Sequence, residues 1–209
     1  PAPDGTSFLE LNSRHGGRAD SWHTDVTFKA APPKVCVLRA VVIPPLGGDT
    51  VWANAVAAYE GLPPALKTLA ESLRAVHGND YDYAADRPVD EGSDAENASR
   101  RQYRKVFTKT LIEAEHPVVR THPETGRRAL YVNVAHTLRF KDMTEEESAP
   151  LLRHLHEHQV RPEFTCRFSW EPGSIALWDN RCTLHNPVND YHGYRREMHR
   201  ITLAGTRPV

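Results

Sequence analysis

Lys34-Val35-Cys36-Val37-Leu38-Arg39-Ala40-Val41-Val42-Ile43-Pro44-Pro45-Leu46-Gly47-Gly48-Asp49-Thr50 reads as a buried strand, a stop and a turn into a second strand. Val35, Val37, Val41, Val42 and Ile43 are β-branched and suit a pleated surface. Proline cannot donate to a ladder, so Pro44-Pro45 ends the strand. Leu46-Gly47-Gly48-Asp49 supplies turn chemistry, and residues 50–53 form the second strand. The same pattern recurs outward. A strand-like patch lies at 7–11, an extended stretch at 75–77, and a hairpin around a Pro/Gly turn between 116 and 132. Three β-like segments at 164–170, 175–178 and 198–203 close the chain. Helical spacing is rarer. Leu62, Leu66, Leu69 and Leu73 recur behind Pro63-Pro64. Thr144 and Glu147 spell a capping box, followed by a Leu151, Leu152, Leu155 stripe that Pro162 ends. The expected class is mainly β with flanking helices, a jelly-roll barrel or β-sandwich. One domain over 1–209 is expected. Within it 78–115, charged and poor in aliphatic clusters, reads as a surface excursion or mobile lid.

Composition narrows the partners. The chain has 209 residues, 39% hydrophobic and 25% charged, which argues for a folded core rather than disorder. Net charge is -1 with no basic block, so neither nucleic acid nor a membrane surface is expected as a partner. No apolar run nears the roughly 20 residues of a membrane span. Cys36, Cys166 and Cys182 have no Cys-x-x-Cys spacing and read as free thiols of a reducing, cytoplasmic compartment.

His23 and Asp25 are one residue apart. In extended chain, side chains at i and i+2 project to one face, so an imidazole and a carboxylate can converge on one ion. A distant third ligand would complete a facial set of two His and one carboxylate, with three corners left open. On spacing alone, His-x-Asp reads equally as a surface pair. His185 follows an apolar strand and polar turn, Ser174 to Arg181. Arg196 and Arg200 are four apart on the last strand and share a face, where interior cations call for an anion. Met198, Ile201 and Leu203 beside them mark that segment as core.

Five stretches now resemble one family in order. They are Trp22-His23-Thr24-Asp25-Val26-Thr27-Phe28, Gly47-Gly48-Asp49-Thr50, His116-Pro117-Val118-Val119-Arg120-Thr121-His122-Pro123, Trp178-Asp179-Asn180-Arg181 and Met198-His199-Arg200. Together they resemble the taurine dioxygenase (TauD/TfdA) family. The resemblance implies a double-stranded β-helix, a cupin-like jelly roll. It implies Fe(II) on His23, Asp25 and His185, with Thr50 and Arg196 on the far carboxylate of 2-oxoglutarate. It directs Arg200 at the acidic group of the primary substrate. The implied reaction uses O2 to hydroxylate a small anionic substrate, a sulfonate, alkyl sulfate or related acid, releasing succinate and CO2. Taurine-specific members carry Asn where this chain has Ala19, and an aromatic in the segment where it has His136. The expected substrate is therefore not taurine. Family members have a longer N-terminal region, which this chain is expected to lack, and a homo-oligomer is expected. Four alternatives stand beside this reading, the first being a structural or interaction domain with no site at all. A non-catalytic metal-binding jelly roll needs no Thr50 or Arg196, a zinc hydrolase gives the two arginines no role, and a dioxygenase of the same family could act on a carboxylate.

Overall fold

In the computed structural model, which describes residues 8–15, 19, 21–79 and 111–209, the opening stretch forms β2 (Val35–Val42). Alternation decides its faces: Cys36, Leu38 and Ala40 are buried, while Arg39 between them is exposed. Gly47 and Gly48 both take left-handed backbone, φ 73° and 76°, and turn the chain into β3 (Thr50–Asn54).

Two antiparallel sheets share a core. One has the order β1 (Leu9–Asn12), β12 (Glu197–Leu203), β2, β10 (Ile175–Asp179). The other has the order β11 (Thr183–Pro187), β3, β9 (Thr165–Phe168). Their inner residues meet as Cys36, Leu38, Ala40, Trp52, Trp178 and Met198, with Trp170 beside them. Tryptophans bury more apolar area than any other side chain, so this trio contributes much of the sheet-to-sheet attachment. A third sheet, β5 (Glu113–Pro117), β4 (Arg74–Gly78), β8 (Thr137–Phe140), stands beside the hairpin β6 (Val119–Thr121) and β7 (Arg128–Leu130). Helices α1 (Ala55–Glu60), α2 (Pro64–Ser72) and α3 (Glu145–Gln159) cover this part through Ala58, Ala70, Leu130, Phe140, Leu152 and Leu155. The described residues are thus mainly β with few helices. None of their helices is long and apolar enough to cross a membrane.

The capping box forms as read. Thr144 Oγ1 accepts from the Glu147 backbone at 3.2 Å, and the Glu147 carboxylate accepts from the Thr144 backbone at 2.8 Å. Thr144→Ala is expected to cost about 1 kcal/mol, read as a lower urea midpoint with an unchanged slope. An unchanged midpoint would show that the cap adds nothing to α3.

Two expectations are corrected. The excursion at 78–115 is sheet at both ends, since Gly78 pairs with Glu113 and Val76 with Glu115. Glu113-Ala114-Glu115 lacks aliphatic residues, so its strand character comes from its partner β4. Residues 80–110 lie outside the described residues. The apolar flank of the last strand also divides. Met198 is buried, but Ile201 and Leu203 are 45% and 40% exposed on the outer face, beside Ile175 and Leu177. β12 nonetheless lies inside its sheet, between β1 and β2. An antiparallel sheet can leave one face to solvent, so apolar residues in an interior strand need not be core.

Candidate metal centre

His185 sits in the middle of β11, which pairs with β3 on one side (His185 opposite Trp52). On its other side it meets His23 in a reciprocal bridge. His23 N–H donates to the His185 carbonyl at 3.0 Å and His185 N–H donates back at 2.8 Å. Main-chain pairing therefore brings the distant imidazole alongside the first, with ring centroids 4.1 Å apart. His23 Nδ1 is 2.8 Å from the Ser21 carbonyl. A carbonyl only accepts, so Nδ1 carries the proton and Nε2 keeps the lone pair. That Nε2 is 3.8 Å from Asp25 Oδ1. One ligand atom each from His23, Asp25 and His185 fall within 4.8 Å of one another, and all three residues are buried. The structure thus brings together the three residues that the sequence nominated.

Spacing alone does not fix Asp25. The chain turns directly after it, and Val26 takes φ 60°. A β-branched residue there is strained by about 1–3 kcal/mol, which the surroundings must offset. Asn180 supplies the restraint. Its Oδ1 accepts from Asp25 N–H at 3.0 Å, and its Nδ2 donates to the carbonyls of Asp25 at 3.1 Å and Pro33 at 3.0 Å. Asn180 is fully buried, and this clamp had no counterpart in the sequence reading. Its sequence signals were an amide at the end of an apolar strand and its place in the Trp178-Asp179-Asn180-Arg181 stretch.

The charges suit a cation. Burial lowers the His23 pKa and pushes His185 down to about 3, so both rings are neutral at neutral pH. Burial pushes Asp25 upward, but the Arg200 guanidinium together with His185, His23 and the Cys36 thiol outweighs it and holds the carboxyl well below the usual range. Two neutral nitrogen donors and an ionised carboxylate result. His185, whose Nδ1 is buried without a hydrogen-bond partner, offers a donor that a metal can use.

These buried imidazoles make stability depend on pH. His136 is held down to about 4 and His185 to about 3, chiefly by burial, whereas an unfolded imidazole titrates near 6.5. Below pH 6.5 the unfolded chain binds more protons than the folded one. Stability therefore falls as pH drops from 6.5 towards these folded values, by up to about 1.4 kcal/mol per pH unit for each ring. The depressed Asp25 contribution is still fully present at pH 5. Urea midpoints at pH 7 and 5 are expected to differ by several kcal/mol in unfolding free energy. Equal midpoints would contradict the buried neutral imidazoles.

The turn that opens β3 organises the remaining candidates. Thr50 is buried, and its Oγ1 accepts from Trp170 Nε1 at 3.0 Å, which leaves the hydroxyl proton for a second partner. Arg196 precedes β12, is buried, and donates from Nε to the Gly48 carbonyl at 3.1 Å. A Cβ on Gly48 would stand 3.2 Å from both Cδ and Nε of Arg196, so glycine lets the arginine lie against the turn. Asp190 accepts from Gly48 N–H at 2.8 Å and pins the same turn. Thr50 and Arg196 are thus tied to one short loop.

Arg200 lies on the inner face of β12, opposite Leu38, and its Nη1 donates to Asp25 Oδ1 at 2.9 Å. The resemblance directs it at a substrate anion, and the structure adds a contact to the Asp25 carboxylate. His136 packs edge-on against Phe28 at 5.1 Å, buried and neutral. Ala19 contributes a carbonyl that accepts from Asn189 at 2.7 Å. His122, Asp179 and Cys182 also cluster, but Asp179 already accepts from Arg181 at 2.6 Å and His122 at 2.9 Å, so its carboxylate is committed.

Residues 3–202 match the family described as taurine catabolism dioxygenase TauD, TfdA family. The chain belongs to this family. Among its TauD/TfdA relatives, an alpha-ketoglutarate-dependent sulfate ester dioxygenase from Pseudomonas putida is 49% identical over 211 residues, covering 100% of this chain and 68% of the relative. An alkylsulfatase from Acinetobacter baylyi is 47% identical over 206 residues, covering 98% of this chain and 63% of the relative. The crystal structure of a taurine dioxygenase from Burkholderia xenovorans superposes with a TM-score of 0.78 at 36% identity, covering 100% of this chain and 68% of that one. The chain therefore spans roughly two thirds of the length of these TauD/TfdA proteins.

Proposed function

We propose that this chain carries the catalytic centre of an Fe(II)- and 2-oxoglutarate-dependent dioxygenase that oxidises sulfate esters, built on a jelly roll of the double-stranded β-helix type. The observation that carries the reading is the buried convergence of His23, Asp25 and His185 within 4.8 Å. Two neutral imidazoles and one carboxylate are the donor set of non-haem iron oxygenases. Bound there, Fe(II) supplies the O2 activation that couples 2-oxoglutarate decarboxylation to substrate hydroxylation.

The chain's own residues bind and orient. Arg196 presents a guanidinium fork that matches the far carboxylate of 2-oxoglutarate, and the Thr50 hydroxyl adds a donor. Arg200 offers a cation to the sulfate group, so the substrate's ester carbon faces the metal side of the pocket. Hydroxylation at that carbon gives a hemiacetal sulfate ester. Its C–O bond to sulfate then breaks, yielding an aldehyde and sulfate, while 2-oxoglutarate and O2 become succinate and CO2. Two similarities favour a sulfate ester over taurine: relatives named for sulfate esters and alkyl sulfates are 49% and 47% identical, against 36% for the taurine dioxygenase. Ala19 and His136, where taurine-specific members differ, point the same way.

A succinate-release screen with Fe(II), ascorbate and 2-oxoglutarate tests this. Alkyl sulfates are expected to stimulate succinate release above sulfonates and aryloxyacetates. Stimulation by taurine or an aryloxyacetate instead would overturn the substrate assignment, and no stimulation by any anion would overturn the reading.

A further inference from the structure

The two oxygens of Asp25 are held differently. Oδ1 accepts from Arg200 Nη1 at 2.9 Å and is the oxygen 3.8 Å from His23 Nε2. Oδ2 accepts from the Cys36 thiol, with sulfur 3.1 Å away. A thiol is a weak donor, but an ionised carboxylate is the kind of acceptor that strengthens it. Cys36 is fully buried on the inner face of β2, between Trp178 on β10 and Thr202 on β12, so water does not compete. The Asn180 clamp fixes the Asp25 backbone, and the orientation of the carboxylate is set by its contacts with Arg200 on Oδ1 and Cys36 on Oδ2.

We propose that Cys36 is a positioning residue whose thiol caps Asp25 Oδ2 and turns the carboxylate to present Oδ1 alone to the metal. This rests on the metal reading above. Single-oxygen ligation matters because three protein ligands must leave three corners of an octahedron open. A carboxylate binding through both oxygens would take one of those corners. Packing alone would ask only for a small apolar group at position 36. The 3.1 Å contact asks for a donor.

The pair Cys36→Ser and Cys36→Ala tests this, with Cys36→Val as an apolar companion that leaves no cavity. Each is titrated with Co(II) in the full chain, with the metal's visible absorption as the readout and thermal unfolding as the control. Loss of a partner that orients a metal ligand typically weakens binding by roughly 10–100-fold. Ala and Val are expected to show that loss and an altered Co(II) spectrum, while Ser, which keeps a donor, recovers most of the affinity and the wild-type spectrum. Wild-type Co(II) affinity in folded Ala or Val would overturn the proposal, as would Ser behaving like Ala. If the wild type binds no Co(II), or its binding survives His185→Ala, the metal reading itself fails, which separates the two outcomes.

Discussion

With His185 replaced by Ala, Fe(II) binding is expected to fall by on the order of a thousandfold and succinate release to stop. Structural zinc sites with four protein ligands are worth about 10–16 kcal/mol, and an equal share per ligand, about 4 kcal/mol at the upper end, sets the scale for His185. Each 1.4 kcal/mol is about tenfold in affinity. The fold is expected to survive, because the bridge between residues 23 and 185 is made by backbone atoms that alanine also supplies. Removing a buried imidazole also removes part of the acid sensitivity, so the variant is expected to lose less stability between pH 7 and pH 5 than the wild type does. Calorimetric titration under anaerobic conditions reads the loss. A normal Fe(II) isotherm in the folded variant would remove His185 from the triad.

Arg196→Ala is expected to act on the cosubstrate instead. Truncating one partner of a buried charge-assisted pair costs about 2–5 kcal/mol, and a value near 3 raises the KM for 2-oxoglutarate on the order of a hundredfold. Arg196 meets Gly48 rather than the triad, so metal affinity without 2-oxoglutarate is expected to stay at the wild-type value. Lysine is expected to recover little, because a point charge lacks the planar fork. An unchanged KM would remove Arg196 from the carboxylate site, and a loss of bare metal affinity would place it in the metal centre.

β2 was legible because a β-branched run bounded by Pro and Gly has few other readings. Glu113–Glu115 was not, since a charged strand takes its order from a neighbour rather than from its own pattern. His23 and Asp25 were legible from a period of two. Their exact placement was not, because it depends on the left-handed turn at Val26 and on Asn180 more than 150 residues away in sequence. His185 could be nominated only through the resemblance, since its partner is the backbone of His23. Gly47-Gly48 announced a turn, but not that Arg196 would lie against it. Arg200 was assigned to a substrate anion, and its contact with Asp25 follows from the register of β12 on β2. Cys36 read as an inert thiol for the same reason: the inner face of a strand is visible in sequence, and what that face meets is not.

The central claim is oxidative cleavage at the His23, Asp25, His185 centre, and the most direct test is product stoichiometry with a medium-chain alkyl sulfate. Succinate, aldehyde and inorganic sulfate are quantified against 2-oxoglutarate and O2 consumed, with and without Fe(II). Equal amounts of all three products are expected, each requiring O2, 2-oxoglutarate and Fe(II). Sulfate released together with an alcohol, without consumption of 2-oxoglutarate, would show hydrolysis and contradict the central claim.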